Sequence, residues 1–207
     1  MATTYLGNHD HTHVAFQAGG RDHQGPAQWY RVQPYAIALL TSPGAPMIHN
    51  GQEFAEEHWL MEDDQGTGRR VKPRPLRWGF RGDRFGRPTF ELFARLVEIR
   101  KGYAGLRSDN VYPALWEPWQ REFNPQGYGV DVGRGLVIFH RWGPGDDGRL
   151  QRFIVVLNFS AADQRVDVPF PANGVWEDLL VGWKANVGDY VLRSVHVGSN
   201  WGRVFFK

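Results

Sequence analysis

The sequence contains no cysteine, so disulfide bonds and thiolate chemistry are excluded. It has no apolar run near the roughly 20 residues that a membrane-spanning helix needs. It also lacks any long block of like charges, and its net charge is only +2, which argues against nucleic acid or an acidic membrane surface as a partner. No basic and then apolar leader follows Met1, so we expect a soluble chain without a targeting segment, with the cytoplasm favoured.

Apolar residues are plentiful. The 207 residues are 42% hydrophobic and 14% aromatic, with nine tryptophans, which is enough to form a core. This length predicts one or two domains of ordinary size.

The first half of the chain alternates short apolar runs with helical patterns. Residues 3–6 predict the end of a buried strand, and residues 45–49 predict a short parallel strand. Residues 28–41 predict a helix that either kinks at Pro34 or begins its regular part there. Residues 87–102 form the clearest helical pattern. Two strand–helix units are typical of the end of a parallel α/β domain and are too few to close an eight-stranded barrel.

The second half has a different sequence pattern, in which strand-like runs are separated by Gly, Pro and Asp turns. These runs are 135–142, 153–159, 164–168 and 201–206. Such spacing predicts an antiparallel sandwich. The fold class is therefore α/β plus all-β. The predicted boundary lies near residues 102–106, with one domain at 1–104 and a second at 105–207.

A polar triplet, Asn8-His9-Asp10, follows the first predicted strand. A carboxylate and an imidazole at the carboxyl end of a barrel strand face the barrel mouth, where catalytic groups cluster. The alternative is that His9 and Asp10 only cap the strand and satisfy each other.

Five segments resemble the last third of the α-amylase family, glycoside hydrolase family 13, in the family's order. They are residues 8–10, 43–53, 75–78, 96–108, and finally 155–160 together with 176–180 and 201–205. The resemblance covers nearly the whole chain. It implies the last two strand–helix units of a (β/α)8 barrel followed by an antiparallel β-sandwich.

The resemblance also implies a role for the triplet. Asp10 matches the acid that stabilises the transition state at the cleaved sugar, and His9 and Asn8 match sugar-binding neighbours. The family's nucleophile Asp and acid Glu precede this triplet. We therefore expect a C-terminal fragment of a hydrolase or transglycosidase acting on α-glucans such as starch, glycogen or maltooligosaccharides, and inactive alone.

Two other acids require assessment. Residues 79–83 fit the family's nucleophile motif GxRxD, but they follow the eighth strand instead of the fourth, and the prolines before them are incompatible with a central strand. We therefore do not expect Asp83 to be a nucleophile. The resemblance aligns Glu53 with a supporting or structural acid.

Histidines and acids also raise the possibility of metal binding. The candidate cluster is His9, Asp10, His11 and His13, with His23 and His49 possibly nearby. A polar or sugar-contacting loop is the favoured interpretation, so we predict no metal site and no cofactor in this chain. The acids at 56–57 and 62–64 lack the ligand spacing of a calcium loop, and we interpret them as a solvated face. Calcium remains possible in a parent enzyme.

Two non-catalytic functions are also open. A glucan-binding module would use Trp116 and Trp119 as stacking platforms, although a core role for both is favoured. A structural subunit would associate through the open edge of the barrel.

Overall fold

The computed structural model describes residues 2–20, 28–60, 73–117 and 119–207. The first half contains two short strands that pair in parallel, β1 (Thr3–Tyr5) and β2 (Ala45–Met47). Its helices are α1 (Val14–Gln17), α2 (Gln33–Thr41) and α3 (Gly86–Gly102). Short 3₁₀ helices lie at Trp29–Val32, Gln52–Phe54, Trp78–Gly82 and Ala104–Arg107.

The second half is antiparallel. Its strands are β3 (Val111–Tyr112), β4 (Gly129–Asp131), β5 (Leu136–Pro144), β6 (Leu150–Asn158), β7 (Gln164–Pro169), β8 (Gly174–Asp178), β9 (Lys184–Val187), β10 (Val191–Val197) and β11 (Trp201–Phe206). Seven strands form one sheet in the order β3-β5-β6-β11-β8-β9, with β4 also paired to β5, whereas β7 and β10 form a second sheet. A mixed α/β chain with antiparallel sheets is thus confirmed.

Helix α2 is buried on almost every side, which explains why its sequence is apolar throughout. Pro34 lies in its first turn, where a missing N–H costs nothing, so the helix begins there and does not kink. It ends at Ser42, whose backbone is extended and is followed by Pro43.

Helix α3 is amphipathic. Asp83 Oδ1 accepts hydrogen bonds from the N–H groups of Phe85, at 2.9 Å, and Gly86, at 2.7 Å, which satisfies donors at the start of the helix. The buried face carries Leu92, Phe93 and Leu96. Both α2 and α3 contribute to one hydrophobic cluster with the large sheet.

Strand β6 is apolar on both faces because both faces of the large sheet are covered. Phe153, Val155 and Leu157 belong to the cluster formed with α2 and α3. Ile154 and Val156 face the opposite way and pack with β7 and β10. The helical layer therefore shares its core with the sheet, across the predicted division between 1–104 and 105–207. That division stays a prediction.

Four of the nine described strands from β3 to β11 were predicted, namely β5, β6, β7 and β11, whereas β3, β4, β8, β9 and β10 were not. Strand β10 is interrupted by a register shift between Leu192 and Val195, where Ser194 has a φ of 54°. Asp189 and Tyr190 also have positive φ. Turns and bulges built from residues other than glycine give no sequence signal. Among the described helices, none combines the length and the apolar character needed to cross a membrane.

Two buried arginines hold the C-terminal end of α2. Arg100 on α3 donates from Nη1 to Leu40 O at 2.8 Å and to Ser42 O at 3.0 Å, and from Nη2 to Gly44 O at 2.7 Å. A helix C-terminus leaves carbonyl groups unpaired and carries partial negative charge, so a guanidinium is a suitable partner.

Arg141 on β5 completes this arrangement and is 0% exposed. It donates to Thr41 O, to Asn110 O at 2.7 Å, and through Nη2 to Leu106 O at 3.1 Å and Ser108 O at 2.6 Å. Burial, and then the charge of Arg100, lower the pKa of Arg141 to about 10, so it remains charged at neutral pH. This one side chain ties α2, the connecting segment and the sheet together.

We expect Arg141→Met to lower the free energy of unfolding by about 3 kcal/mol, because it leaves several buried carbonyl groups without donors. Urea denaturation measures this change. Arg149→Met is the matched control, since the Arg149 side chain is 89% exposed, and it should have an effect of at most about 0.5 kcal/mol. Equal stability of the two variants would contradict the proposed role of Arg141.

Candidate functional site

The loop after β1 carries the predicted triplet, and Asn8 shapes it. Asn8 Oδ1 accepts hydrogen bonds from Asp10 N–H and from His11 Nδ1, both at 2.8 Å. The amide oxygen of Asn8 is thus engaged within the loop, which fixes the direction of its neighbours. Its predicted role in sugar binding stays a prediction.

His9 and Asp10 lie side by side at the surface. His9 Nε2 is 3.6 Å from Asp10 Oδ2, and the two side chains are 78% and 45% exposed. The loop follows the carboxyl end of β1, as predicted, and leaves both groups open to a ligand. An imidazole next to a carboxylate can donate to and accept from a sugar hydroxyl. The roles of Asp10 and His9 at a sugar stay predictions.

A cleft of about 280 Å³ begins at His9. The described residues that line it are His9, His13, His49, Asn50, His58, Arg74 and Leu76. The rings of His13 and His49 are 4.8 Å apart between centroids, and those of His13 and His58 are 6.1 Å apart. His58 Nε2 donates to Pro75 O at 3.0 Å. Separate segments of the chain therefore meet here as a histidine cluster.

Two histidines of this cluster, His13 and His49, have a pKa below the ordinary value. Burial, and then the nearby His49, lower the pKa of His13 to about 4, although the carboxylate of Glu56 acts in the opposite direction. Burial, then Arg74 and His9, lower the pKa of His49 as well. Neutral imidazoles serve as hydrogen-bonding groups and not as charges.

Glu56 lies behind the cluster and is fully buried. Arg77 donates to its carboxylate through Nε, at 2.9 Å, through Nη2 and through its backbone N–H, at 3.0 Å. Burial alone would raise the pKa of Glu56, but the hydrogen bonds from Arg77 and from Glu57 N–H lower it. The interpretation of residues 56–57 as a solvated face is therefore wrong, because Arg77 supplies the partner that allows the carboxylate to be buried.

The structure separates the residues that were considered as a candidate metal cluster. His11 is exposed and bonded to Asn8, whereas His13 is buried beside His49. His23 and the acids at 62–64 lie outside the described residues. Within the described ranges, no group of three or more His, Cys, Asp or Glu side chains is arranged to hold a metal ion.

The other acids occupy local positions. Asp83 caps the start of α3 through its Oδ1. Glu53 lies in the 3₁₀ helix Gln52–Phe54, and its Oε2 is buried without a hydrogen-bond partner among the described residues. Trp116 is 42% exposed and packs edge-on against Phe139, whereas Trp119 is 73% exposed.

Sequence reasoning missed His58, Arg74 and the pair of Glu56 with Arg77 as parts of this site. The Glu56–Arg77 contact depends on a sharp turn, in which Gly51 has a φ of 87° and Ala55 a φ of 57°. A Cβ at Gly51 would lie 2.7 Å from that of Glu56, so only glycine fits there. Gly51 could be identified as a turn residue from the sequence, but the contact between Glu56 and Arg77 that the turn permits could not.

We expect the protein to lose stability as the pH falls from 7 to 5. His13 and His140 both have a pKa lowered to about 4, and burial is the main cause for each. Between pH 6.5 and 4 the unfolded chain takes up protons that the folded chain does not, so the stability present above pH 6.5 decreases on acidification. His13 alone should account for about 2 kcal/mol between pH 7 and 5.

Urea unfolding at several pH values measures this dependence. His13→Gln should reduce the pH dependence, and His11→Gln, at an exposed position, should leave it unchanged. An unchanged pH dependence in His13→Gln would contradict the assignment of this effect to the buried cluster.

Comparisons with protein-family models and with curated proteins gave no match. Solved structures do match. An Anoxybacillus α-amylase superposes with a TM-score of 0.65 at 17% identity, covering 99% of this chain and 37% of its own. AmyP, solved in complex with maltose, gives a TM-score of 0.64 at 15% identity, covering 99% and 40%. A pullulanase from Bacillus acidopullulyticus gives 0.62 at 15% identity, covering 99% and 24%.

The chain thus spans well under half the length of these enzymes while matching over nearly all of its own. At such identities the likeness concerns the fold. The protein has the fold of the C-terminal part of α-amylase-family enzymes, as its sequence motifs indicate.

Proposed function

We propose that the chain is the C-terminal portion of an α-amylase-family glycoside hydrolase or transglycosidase that acts on α-glucans. The observation that carries this proposal is the position of Asn8-His9-Asp10 directly after β1 of a parallel strand pair, in a chain whose fold matches these enzymes over 99% of its length. On this proposal β1, α2, β2 and α3 are the last two strand–helix units of the barrel, and β3 to β11 form the sandwich domain. The substrate is a maltooligosaccharide or a longer α-glucan.

Asp10 then binds the sugar hydroxyls at the cleaved residue and stabilises the flattened ring of the transition state, and His9 donates to the same sugar. Retaining glycosidases need two further carboxyl groups about 5–5.5 Å apart, as nucleophile and as acid/base. Asp83 is engaged in capping α3, which argues against a nucleophilic role. We infer that the nucleophile and the general acid lie outside this sequence, and that the chain alone is inactive.

The open side of the strand pair supports association with further barrel structure. A cavity of about 470 Å³ lies there, lined by Leu40, Pro46, Ile48 and Val97 with the stems of Arg100, Lys101 and Arg107. Tyr5 and Met47 on the two strands are also exposed, at 46% and 36%. An apolar cavity beside a two-stranded parallel sheet is the surface that additional strand–helix units would cover.

The first prediction is enzymatic. The purified chain should release no reducing sugar from maltooligosaccharides or starch above background, and Asp10→Asn should behave in the same way. Activity that disappears in Asp10→Asn would overturn the proposal. In that case a second catalytic acid lies within these residues, and Glu53 and Asp83 become the candidates.

The second candidate function is a non-catalytic glucan-binding module, and the exposure of Trp119 favours it over a structural role for that side chain. An NMR titration with maltotriose separates the two functions. Our proposal predicts shifts of the His9 ring signals that are lost in Asp10→Asn and retained in Trp119→Ala. The binding-module function predicts the reverse, with binding lost in Trp119→Ala and retained in Asp10→Asn.

A further inference from the structure

The cleft beside His9 has an unusual composition. Its described lining contains four histidines and one arginine, and none of its described lining residues carries a carboxylate. A described lining that concentrates nitrogen donors and contributes no carboxylate of its own is suited to a negatively charged ligand.

Arg74 is the permanent positive charge in this cleft, and its hydrogen bonding is incomplete. Nη2 donates to His9 O. Nη1 is buried and has no hydrogen-bond partner among the described residues. Leaving a buried donor of a charged group unsatisfied is costly, and such a group in a folded protein requires an explanation, of which a bound ion is one.

The buried carboxylate of Glu56 is already engaged elsewhere. Glu56 is 3.9 Å from His58 Nε2, but its two oxygens already accept from Arg77 and from the backbone. The positive field in the cleft is evident from its effect on the histidines. The charge of Arg74 contributes to lowering the pKa of both His13 and His49, and at His13 the carboxylate of Glu56 acts in the opposite direction.

We propose that this cleft is a binding site for an oxyanion of the phosphate class, held by Arg74 Nη1 together with the imidazoles of His13 and His49. The distance of 4.8 Å between the His13 and His49 ring centroids allows both rings to contact one tetrahedral group. The guanidinium of Arg74, the imidazole donors and the volume of about 280 Å³ suit a single phosphate or sulfate group, and the positive charge of Arg74 disfavours a metal ion.

Two sources share this chemistry, free phosphate and a phosphate ester carried by a sugar. The second is favoured because His9 belongs both to this cleft and to the proposed sugar site, so a phosphate here would lie next to a bound sugar. This choice of source rests on the proposed function, whereas the oxyanion site itself does not.

Anion binding should be linked to protonation of the histidines. An oxyanion in contact with the imidazoles favours their charged forms, so binding takes up protons and becomes tighter as the pH falls. The titratable and charged groups that face the cleft or lie directly behind it are His9, Asp10, His13, His49, Glu56, His58, Arg74 and Arg77. Sulfate is the suitable probe, since it does not titrate between pH 5.5 and 7.5, the range to be measured.

Isothermal titration of the full chain with sodium sulfate tests the site. Arg74→Gln should weaken binding by about tenfold or more, and binding by the unaltered chain should tighten severalfold between pH 7.5 and 5.5. Arg149→Gln, at an exposed arginine far along the chain, is the matched control and should bind as the unaltered chain does. If Arg74→Gln does not fold, as judged by circular dichroism, His49→Gln replaces it and should abolish most of the pH dependence.

Equal sulfate affinity in Arg74→Gln and the unaltered chain, or no binding at millimolar sulfate, would overturn the proposal. Glucose 1-phosphate and inorganic phosphate then identify the source. Tighter binding of glucose 1-phosphate, lost in Asp10→Asn, supports the sugar ester, and equal binding of the two supports a site for the free oxyanion. Because sulfate carries no sugar, failure of the proposed function would leave the sulfate result unchanged.

Discussion

The two guanidinium groups of Arg100 and Arg141 at the C-terminal end of α2 are the constraint on which the rest of the structure depends. They donate to the carbonyl groups of Leu40, Thr41, Ser42 and Gly44, at and just beyond the end of α2. Strand β2 begins at the next residue, Ala45, so its start is fixed by the same bonds. Because β1 has no other strand partner among the described residues, the direction of β1, and of the Asn8–Asp10 loop that follows it, is set through β2. The position of the Asn8–Asp10 loop therefore depends on these buried hydrogen bonds.

Much of this architecture could be predicted from the sequence because its signals are local. The polar triplet after an apolar run, Pro34 in the first turn of a helix, and the apolar run of β6 each lie in one continuous stretch. Five strands escaped prediction, β3, β4 and β8 to β10. Around β10 the turn and the bulge use positive φ at residues other than glycine, as at Asp189, Tyr190 and Ser194. The pairing of these strands depends on the neighbouring strands of the fold. This is a tertiary effect that a single stretch of sequence cannot reveal.

The histidine cluster could not be predicted for a different reason. His13, His49, His58 and Arg74 lie in separate segments, and only the fold brings them together. Glu56 was misinterpreted because adjacent glutamates are usually solvated, and its partner Arg77 is 21 residues further along the chain. The motif that contains Arg77 was recognised by resemblance, but resemblance did not indicate what its side chain contacts.

Arg74 differs from Arg77, Arg100 and Arg141 in one respect that distinguishes functional from structural positions. Arg100 and Arg141 are surrounded by carbonyl oxygens, and Arg77 is paired with a buried carboxylate, so each has acceptors matched to its donors. Arg74 has a single carbonyl partner and one buried nitrogen without an acceptor among the described residues. A chain that pairs these three arginines so fully has the means to pair a fourth, for instance with one more carboxylate. Arg74 lacks one hydrogen-bond acceptor and lies next to His13 and His49, whose charge state a ligand can change. This arrangement is expected where the ligand supplies the missing acceptor.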